Sequence, residues 1–149
     1  MEDFERIYSA YSPAVYRLGV LYLKNGSAAE DVTQDCFVKL LERGGFQSES
    51  HIKAWLLTVA RNLCFNALRR AKRQVPLDEY IPAAPDGRAV MSEMYALPPD
   101  DRAAVYLFYY EGYASREIAR FLQTTDAAVR ARLKRARAKL KQILEDVNE

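Results

Sequence analysis

The sequence predicts an all-α protein in which two small helical domains are joined by a linker. Hydrophobic residues recur at three- and four-residue spacing along most of the chain, which is the period of an amphipathic helix and not the alternation of a strand. The 149 residues, half of them hydrophobic, are enough for two small cores. Residues 75–87 carry three prolines and three acids, a composition typical of a linker. We therefore place the domains at 1–74 and 96–149, with the linker at 75–95.

Two helices are predicted at the start of the first domain. Aromatic and apolar residues at helical spacing indicate a helix over residues 4–11. Pro13 suits the first turn of a second helix, where the backbone N–H that proline lacks has no partner anyway. Asn25 and Gly26 are residues that commonly end a helix, so they would close the second one.

The third and fourth helices carry both cysteines of the chain. Ser27 and Glu30 form a capping-box pattern that would open the third helix, which runs to about Arg43 and is ended by two glycines. A fourth helix is expected over residues 51–73. The predicted core positions of these two helices are Val32, Cys36, Phe37, Leu40, Leu41, Ile52, Trp55, Leu56, Val59, Leu63 and Leu68. Because Cys36 and Cys64 both fall within apolar helical patterns, we expect buried, reduced thiols of a cytosolic protein.

The second domain is predicted to end in a helix-turn-helix. After helices around 90–97 and over 98–110, a short helix at 115–122 is followed by a tight connection and a long helix at 126–144. Thr125 or the residue after it would cap the long helix. A short helix that fixes the angle of a longer one is the arrangement of DNA-binding helix-turn-helix motifs.

The long helix has a cationic side opposite its apolar positions. The cations are Arg130, Lys134, Arg137 and Lys141 in one stripe, with Arg132, Arg135 and Lys139 beside it. No acid lies between Asp126 and Glu145. Such a face favours binding to nucleic-acid phosphates through counterion release, and arginines near the helix start can bind guanine edges. A solvated basic face or a coiled-coil segment is the alternative interpretation.

Two further faces in the first domain carry polar residues in a pattern. On the third helix, the residues opposite the predicted core are Asp31, Gln34, Asp35, Val38 and Glu42. This face is either a docking surface for a basic partner or a solvated acidic face. On the fourth helix, the residue types that read base edges are Arg61, Asn62, Asn66, Arg69 and Arg70.

These segments together resemble a known family. The run from Ala29 to Phe37, AEDVTQDCF, is followed by Trp55-Leu56, Ala60-Arg61-Asn62 and Arg69-Arg70. Later come Leu97-Pro98, Glu117-Ile118-Ala119 and the run VRARLKRAR over 129–137. In this order and spacing they resemble regions two and four of bacterial RNA polymerase sigma factors. With only a linker between the regions, the chain resembles the extracytoplasmic-function (ECF) group.

The resemblance implies a partner or a DNA element for each face. The residues implied to face the clamp helices of the largest polymerase subunit are Asp31, Gln34, Asp35 and Val38. The residues implied to bind the minus-ten element are Phe46, in the loop 44–50 that captures a flipped base, and Arg61, Asn62, Asn66, Arg69 and Arg70. Those implied to contact the minus-thirty-five element are Arg130, Ala131, Lys134 and Arg135, with Arg132 and Arg137 near phosphates. The flap of the second-largest subunit would also bind the chain.

The sequence departs from the family pattern in a few places. Gln123 replaces the usual glycine of the helix-turn-helix turn, so the turn is expected to form without easy access to positive φ. Ala114 stands where a capping serine is common. Ala131 and Lys134 change the expected base contacts, and Asn66 replaces an expected acid. The promoter sequence therefore cannot be transferred from the family.

Other classes of function find less support in the residues. We expect no enzyme activity, no cofactor, no metal and no small-molecule substrate, because the chain has one histidine, no phosphate-binding glycine loop and no zinc-type ligand spacing. A dimeric helix-turn-helix repressor or activator would explain 96–149 equally well, but not the two faces of the first domain. We expect a cytoplasmic protein that associates with the nucleoid when in holoenzyme. An anti-sigma factor is a further possible partner.

Overall fold

The computed structural model describes residues 2–45, 48–71 and 94–147. They form two compact units, one on each side of residues 72–93. All regular secondary structure within these described ranges is helical, as the sequence predicts. The predicted linker lies outside the described residues except for its last two positions. Of the predicted helix at 90–97, residues 94–97 are described, and they form a turn in which the Leu97 amide donates to the Met94 carbonyl at 3.0 Å.

The first unit is a bundle of three helices that pack on one another: α1 (Glu2–Leu23), α2 (Gly26–Arg43) and α3 (Glu49–Ala71). Its fully buried side chains include Val15, Leu18, Leu21, Tyr22, Cys36, Leu56 and Leu57. Gly19 allows a close approach of α1 to α2, because a Cβ atom there would lie 3.0 Å from the Cβ of Ala29. This core fixes which sides of α2 and α3 face outward.

One continuous helix replaces the two that were predicted before residue 24. Pro13 lies inside α1 and is exposed, so the prediction that it begins a new helix is wrong. Phe4 and Tyr8 pack against Phe37 of α2, with ring centroids 6.2 and 4.8 Å away. The part of α1 before Pro13 therefore packs on α2. We attribute the unbroken helix to this packing, which offsets the free-energy cost of a proline within a helix.

The start of α2 also differs from the prediction. Asn25 is the N-cap, and its side-chain oxygen accepts the Ala28 amide at 2.9 Å. Ser27 lies within the helix, so it is not the predicted capping residue. Lys24, with φ of 55°, makes the left-handed turn out of α1 that was expected from the Asn25-Gly26 pair.

The buried side of α3 is rotated from the one predicted. Its buried residues are Ile52, Leu56, Leu57, Ala60 and Cys64. The larger side chains predicted to be buried are only half-buried: Trp55, Val59, Leu63 and Leu68. Leu41 of α2, also predicted in the core, is 57% exposed. Cys64 is buried as predicted, and the small side chain of Ala60, which was not among the predicted core positions, is buried with it.

The second unit contains α4 (Pro99–Val105), a π-helical turn (Tyr106–Tyr110), α5 (Ser115–Phe121) and α6 (Asp126–Val147). The predicted apolar positions of the helix-turn-helix are buried: Ile118, Ala119, Leu122, Val129, Leu133 and Ala136. Leu140 is half-buried, and the side chain of Leu144 lies outside the described part. The helix-turn-helix is therefore packed as the sequence predicts. None of the helices in the described ranges is long and apolar enough to cross a membrane.

The turn of the helix-turn-helix is a Schellman motif closed by a residue that is not glycine. The Thr124 amide donates to the Ala119 carbonyl at 2.9 Å, and the Gln123 amide donates to the Arg120 carbonyl at 3.3 Å. Gln123 has φ of 54°, so the turn does use positive φ, in a residue for which that conformation is less accessible than for glycine. Thr125 then caps α6, its hydroxyl accepting the Ala128 amide at 3.1 Å.

Candidate nucleic-acid and polymerase interfaces

The outer side of α6 presents most of the residues predicted to bind DNA. Val129, Leu133 and Ala136 hold the opposite side of the helix in the core. Because of that, five predicted residues are exposed: Arg130, Ala131, Lys134, Arg135 and Arg137. The stripe is cationic and continuous over two turns of the helix.

Acidic side chains contact two of these exposed arginines. The Arg130 Nε atom lies 3.5 Å from a carboxylate oxygen of Asp126, one turn earlier, and the Arg130 side chain is 66% exposed. Arg135 lies 3.7 Å from Asp101 of α4 and is 65% exposed. Both guanidinium groups stay mostly exposed, although the Asp101 carboxylate is buried, so neither contact prevents its arginine from meeting a phosphate.

Arg132 occupies a different environment from its neighbours on α6. Its side chain is only 23% exposed, and one guanidinium nitrogen lies 3.9 Å from the Asp100 carboxylate. The contact ties α6 to the start of α4 within the second unit. The placement of Arg132 near phosphates stays a prediction, and in the unbound chain its guanidinium contacts the start of α4.

Two cations on α6 donate hydrogen bonds within the second unit. Arg137 donates to the Tyr109 hydroxyl at 3.0 Å. Lys139 donates to the carbonyl of Ala96 at 2.9 Å. Arg137 thus keeps its predicted place on the exposed face, with a tyrosine beside it that the sequence did not single out.

The exposed side of α5 adds two cations that the sequence analysis overlooked. Arg116 and Arg120 are exposed, on the side of the helix away from Ile118 and Ala119. Their four-residue spacing on the free side of the first helix was the available signal. In a helix-turn-helix, this first helix crosses the DNA backbone.

The four predicted polymerase-binding residues of α2 are all exposed. They are Asp31, Gln34, Asp35 and Val38. Val38 is 52% exposed, and Leu41 beside it adds a second apolar side chain to this surface. Val38 and Leu41 are neighbouring exposed aliphatic side chains, and covering them with a partner would remove apolar surface from water.

The predicted minus-ten residues of α3 are exposed to different degrees. Asn66, Arg69 and Arg70 are exposed, and Arg69 donates a hydrogen bond to the Asn66 side chain. Arg61 and Asn62 are half-buried. The Arg61 guanidinium lies over the Phe65 ring, 3.9 Å from its centroid, which fixes the direction of the arginine.

A groove between α2 and α3 joins the two predicted surfaces of the first unit. It has a volume of about 640 Å³, and Asp35, Val38, Lys39 and Glu42 line one side. The other side includes Asn66, Arg69 and Arg70. Gln34 is not brought to this groove. It lines a separate one of about 450 Å³ with residues of α1.

Phe46, which was predicted to bind the minus-ten element, lies outside the described residues.

The predicted state of the two cysteines can be compared with the structure. Cys36 and Cys64 are free and buried, as predicted. Burial raises the pKa of Cys36 to about 12 and also raises the pKa of Cys64, so neither is a reactive thiolate. Within residues 2–45, 48–71 and 94–147, no group of histidine, cysteine and acidic side chains is arranged to hold a metal ion.

These features define a class of protein: a two-unit helical DNA-binding protein, with a basic helix-turn-helix in one unit and a mixed acidic and apolar surface in the other. Residues 7–74 match the family model for Sigma-70 region 2, and residues 88–140 match that for Sigma-70, region 4. The chain belongs to the ECF RNA polymerase sigma factors. It is a promoter-directing transcription initiation factor and not an enzyme.

Relatives and solved structures agree with this assignment. The ECF sigma factor SigM of Mycobacterium tuberculosis strain H37Rv is 29% identical over 97% of this chain and 79% of its own length. CarQ of Myxococcus xanthus, an RNA polymerase sigma factor, is 29% identical over 96% and 90% of the two chains. The sigma factor RpoE of Bartonella quintana, solved with the anti-sigma factor NepR, has a TM-score of 0.77 at 22% identity, over 97% of this chain and 98% of its own. At that identity, the last comparison supports the fold alone.

Proposed function

We propose that the chain binds core RNA polymerase through α2 and promoter DNA through α3 and α6. The observation that carries this proposal is the groove in the first unit. Asp35 and Val38 line one side of it, and Asn66, Arg69 and Arg70 line the other. A protein that must hold polymerase and melted DNA at once needs adjoining surfaces, and this groove joins an α2 side with two acids and one lysine to an α3 side with two arginines.

The polymerase contact is assigned to the residues Asp31, Gln34, Asp35 and Val38. Carboxylates steer and orient a basic partner, whereas burial of Val38 and its neighbour Leu41 supplies affinity. The partner we propose for this surface is the clamp helices of the largest polymerase subunit, with the flap of the second-largest subunit bound by the second domain. Gln34, which faces α1, would contact the partner at the edge of this surface.

The DNA contacts are divided between the two domains, for which we keep the boundaries 1–74 and 96–149. In the first domain, the residues proposed for the minus-ten element are Phe46, Arg61, Asn62, Asn66, Arg69 and Arg70. In the second, those proposed for the minus-thirty-five element are Arg130, Ala131, Lys134 and Arg135, with Arg137 on phosphate. The place of Arg132 against Asp100 favours a supporting role for it.

Binding energy is the proposed source of promoter melting. Two domains tethered through residues 75–95 bind the same polymerase, so the second contact forms at the effective concentration that the tether sets. The helix-turn-helix would hold the upstream element as duplex. The first domain would hold unpaired bases. Because it would bind melted DNA more tightly than duplex DNA, the equilibrium between the two would shift toward melted DNA by the difference between these affinities.

The site of action and one regulator are also proposed. We place the protein in the cytoplasm, at the nucleoid when it is part of holoenzyme. An anti-sigma factor that covered the α2 surface would compete with polymerase for Asp35 and Val38. Bartonella quintana RpoE, which shares this fold, was solved with the anti-sigma factor NepR, and we propose a regulator of the same class for this chain.

Run-off transcription with purified bacterial core polymerase on a genomic promoter library tests the proposal. We expect transcripts that depend on this protein and share an upstream and a minus-ten sequence. The positions of these transcripts would then be compared between the parent protein and variants of α3 and α6. Core-independent binding to palindromic DNA, without stimulated transcription, would contradict the proposal.

A further inference from the structure

The π-helical turn at Tyr106–Tyr110 exposes aromatic side chains next to the helix-turn-helix. A π-turn holds one residue more than an α-turn, so it changes the direction in which the following side chains point. Tyr106 and Leu107 are buried, whereas Tyr109 and Tyr110 are 56% and 53% exposed. π-Turns often occur at functional sites.

The two exposed tyrosines have different neighbours. Tyr110 stacks on the ring of Tyr106, with centroids 5.2 Å apart and planes at 20°. Tyr109 packs edge-on against Phe108 at 4.9 Å, and its hydroxyl accepts a hydrogen bond from Arg137 of α6 at 3.0 Å. The hydroxyl of Tyr109 is thus joined to the cationic face of α6.

The position of Arg137 along α6 favours DNA phosphate over base edges. It follows Asp126, the first residue of the helix, by about 17 Å at the usual rise per residue. The major groove is only about 8.5 Å deep, so a helix that enters it by its N-terminus brings Arg137 to the level of the backbone. It lies two turns after Arg130 and on the same exposed side.

The chemistry of the pair suits a phosphate group. A tyrosine hydroxyl that accepts one hydrogen bond still has its own proton to donate, and an arginine guanidinium has five N–H groups. The tyrosine also restrains the arginine in the unbound protein, which lowers the entropic cost of fixing a long side chain on binding. A protein surface could use these groups too, but the stripe that contains Arg137 has no acid between Asp126 and Glu145, which favours a polyanion.

We propose that Tyr109 is a DNA-backbone contact that positions Arg137, so that the hydroxyl and the guanidinium donate to one phosphate group beside the upstream promoter element. This inference rests on the proposed function, in which α6 binds that element as duplex. It adds to the site a residue outside the helix-turn-helix itself.

The test uses Tyr109→Phe, which keeps the ring and removes only the hydroxyl. The matched control is Tyr110→Phe, an equally exposed neighbour that stacks on Tyr106 instead. The affinity of the full-length chain and of its holoenzyme is measured for a duplex carrying the upstream element and for a scrambled duplex, over a series of salt concentrations. Thermal unfolding of each variant is measured in parallel.

We expect Tyr109→Phe to weaken binding to both duplexes by roughly two- to tenfold, the effect of one lost hydrogen bond, and Tyr110→Phe to leave it unchanged. Arg137→Ala should also lower the salt-dependence slope by about 0.9, the value for one phosphate contact, whereas the uncharged Tyr109 should leave that slope unchanged. In the Arg137→Ala background, Tyr109→Phe should cause a smaller loss than in the parent.

Three results would overturn the inference. They are unchanged DNA affinity in Tyr109→Phe, a loss confined to thermal stability, or a loss confined to assembly with core polymerase, which would assign Tyr109 to a protein partner. A different result would contradict the proposed function: the parent chain in holoenzyme would bind the scrambled duplex as tightly as the duplex with the upstream element. A phosphate contact does not depend on the DNA sequence, so in that case the affinity for the scrambled duplex still tests the role of Tyr109.

Discussion

The carboxylate of Asp101 lies 3.7 Å from the guanidinium of Arg135, and this contact joins the first turn of α4 to the exposed side of α6. Its neighbour Asp100 makes the corresponding contact with Arg132 at 3.9 Å. The two arginines differ in depth, with 65% of the Arg135 side chain exposed and 23% of Arg132. Two adjacent acids therefore hold one arginine at the surface and another within the domain.

This difference predicts separate effects for two alanine substitutions. Arg135→Ala should lower the free energy of unfolding by only about 1 kcal/mol, because most of the Arg135 side chain is exposed and little packing is lost, while the buried Asp101 carboxylate loses a single contact at 3.7 Å. It should weaken binding to the upstream element by about 1–3 kcal/mol if the arginine contacts a base. Arg132→Ala should instead lower stability by about 1–3 kcal/mol, since most of the Arg132 side chain is buried and its truncation removes that packing together with the contact to Asp100.

Urea unfolding and DNA binding of the two variants check this prediction, and each variant serves as the control for the other. Equal losses of the free energy of unfolding in the two variants would show that the burial of each arginine does not determine its contribution to stability. A loss of DNA affinity in Arg132→Ala alone, at unchanged stability, would reverse the two assignments.

The surface of α2 predicts a defect in polymerase binding that leaves the fold intact. Reversing charge with Asp31→Lys and Asp35→Lys places cations opposite a basic partner, so affinity for core polymerase should fall at least tenfold, or about 1.4 kcal/mol. Both side chains are exposed, so the unfolding midpoint should change little. Glu5→Lys, at an exposed acid of α1 outside this surface, is the control. Normal holoenzyme assembly of the double variant would identify the surface as a solvated acidic face.

The turn after α5 predicts a stabilising substitution. Gln123 has φ of 54°, a conformation that costs a residue with a Cβ about 1–2 kcal/mol and glycine almost nothing. Part of this gain is offset because glycine has more entropy in the unfolded chain. Gln123→Gly should therefore raise the free energy of unfolding by about 0.5–1 kcal/mol, measured by urea titration. Gln123→Ala keeps the Cβ atom, and an equal gain in that variant would show that strain is not the cause.

The helix-turn-helix could be predicted well from the sequence because its determinants are local. The spacing of Val129, Leu133 and Ala136 sets the buried side of α6, and the cations occupy the remaining positions. For the same reason, the exposure of Val38 and of the acids on α2 followed from periodicity.

The errors arose where tertiary packing overrides a local rule. Pro13 is a helix-start signal, yet α1 continues through it because its two halves share one apolar stripe. The buried side of α3 includes Ala60 and Leu57, which were not predicted in the core and whose role appears only when neighbouring helices are in place. The contacts of Arg132 with Asp100 and of Arg137 with Tyr109 join residues 32 and 28 positions apart, and no periodic pattern reports such pairs.

The two buried thiols predict a loss of stability at alkaline pH. Burial raises the pKa of Cys36 to about 12, whereas a thiol in the unfolded chain titrates near about 8.5. The folded state therefore favours the neutral thiol, so this contribution to stability is present below about pH 8.5 and is lost as the pH rises toward 12. Chemical unfolding over this range should show the decline, and it should be smaller in a variant with Cys36→Ala and Cys64→Ala. An identical decline in that variant would assign the effect to other groups.

The N-terminus of α5 has half of a capping box, and this predicts a second stabilising substitution. The Glu117 side chain accepts the Ala114 amide at 3.1 Å, but the methyl group of Ala114 cannot accept the amide of Glu117 in return. Ala114 already has the extended backbone of an N-cap residue, with φ of −70° and ψ of 153°. Ala114→Ser should therefore raise the free energy of unfolding by about 1 kcal/mol, measured by urea titration. Ala138→Ser, at an exposed position within α6, should lower it slightly because serine is a weaker helix former there. If Ala114→Ser is no more stable than the parent, the amide of Glu117 is already satisfied by the contact that it makes with the Ala114 carbonyl at 3.0 Å.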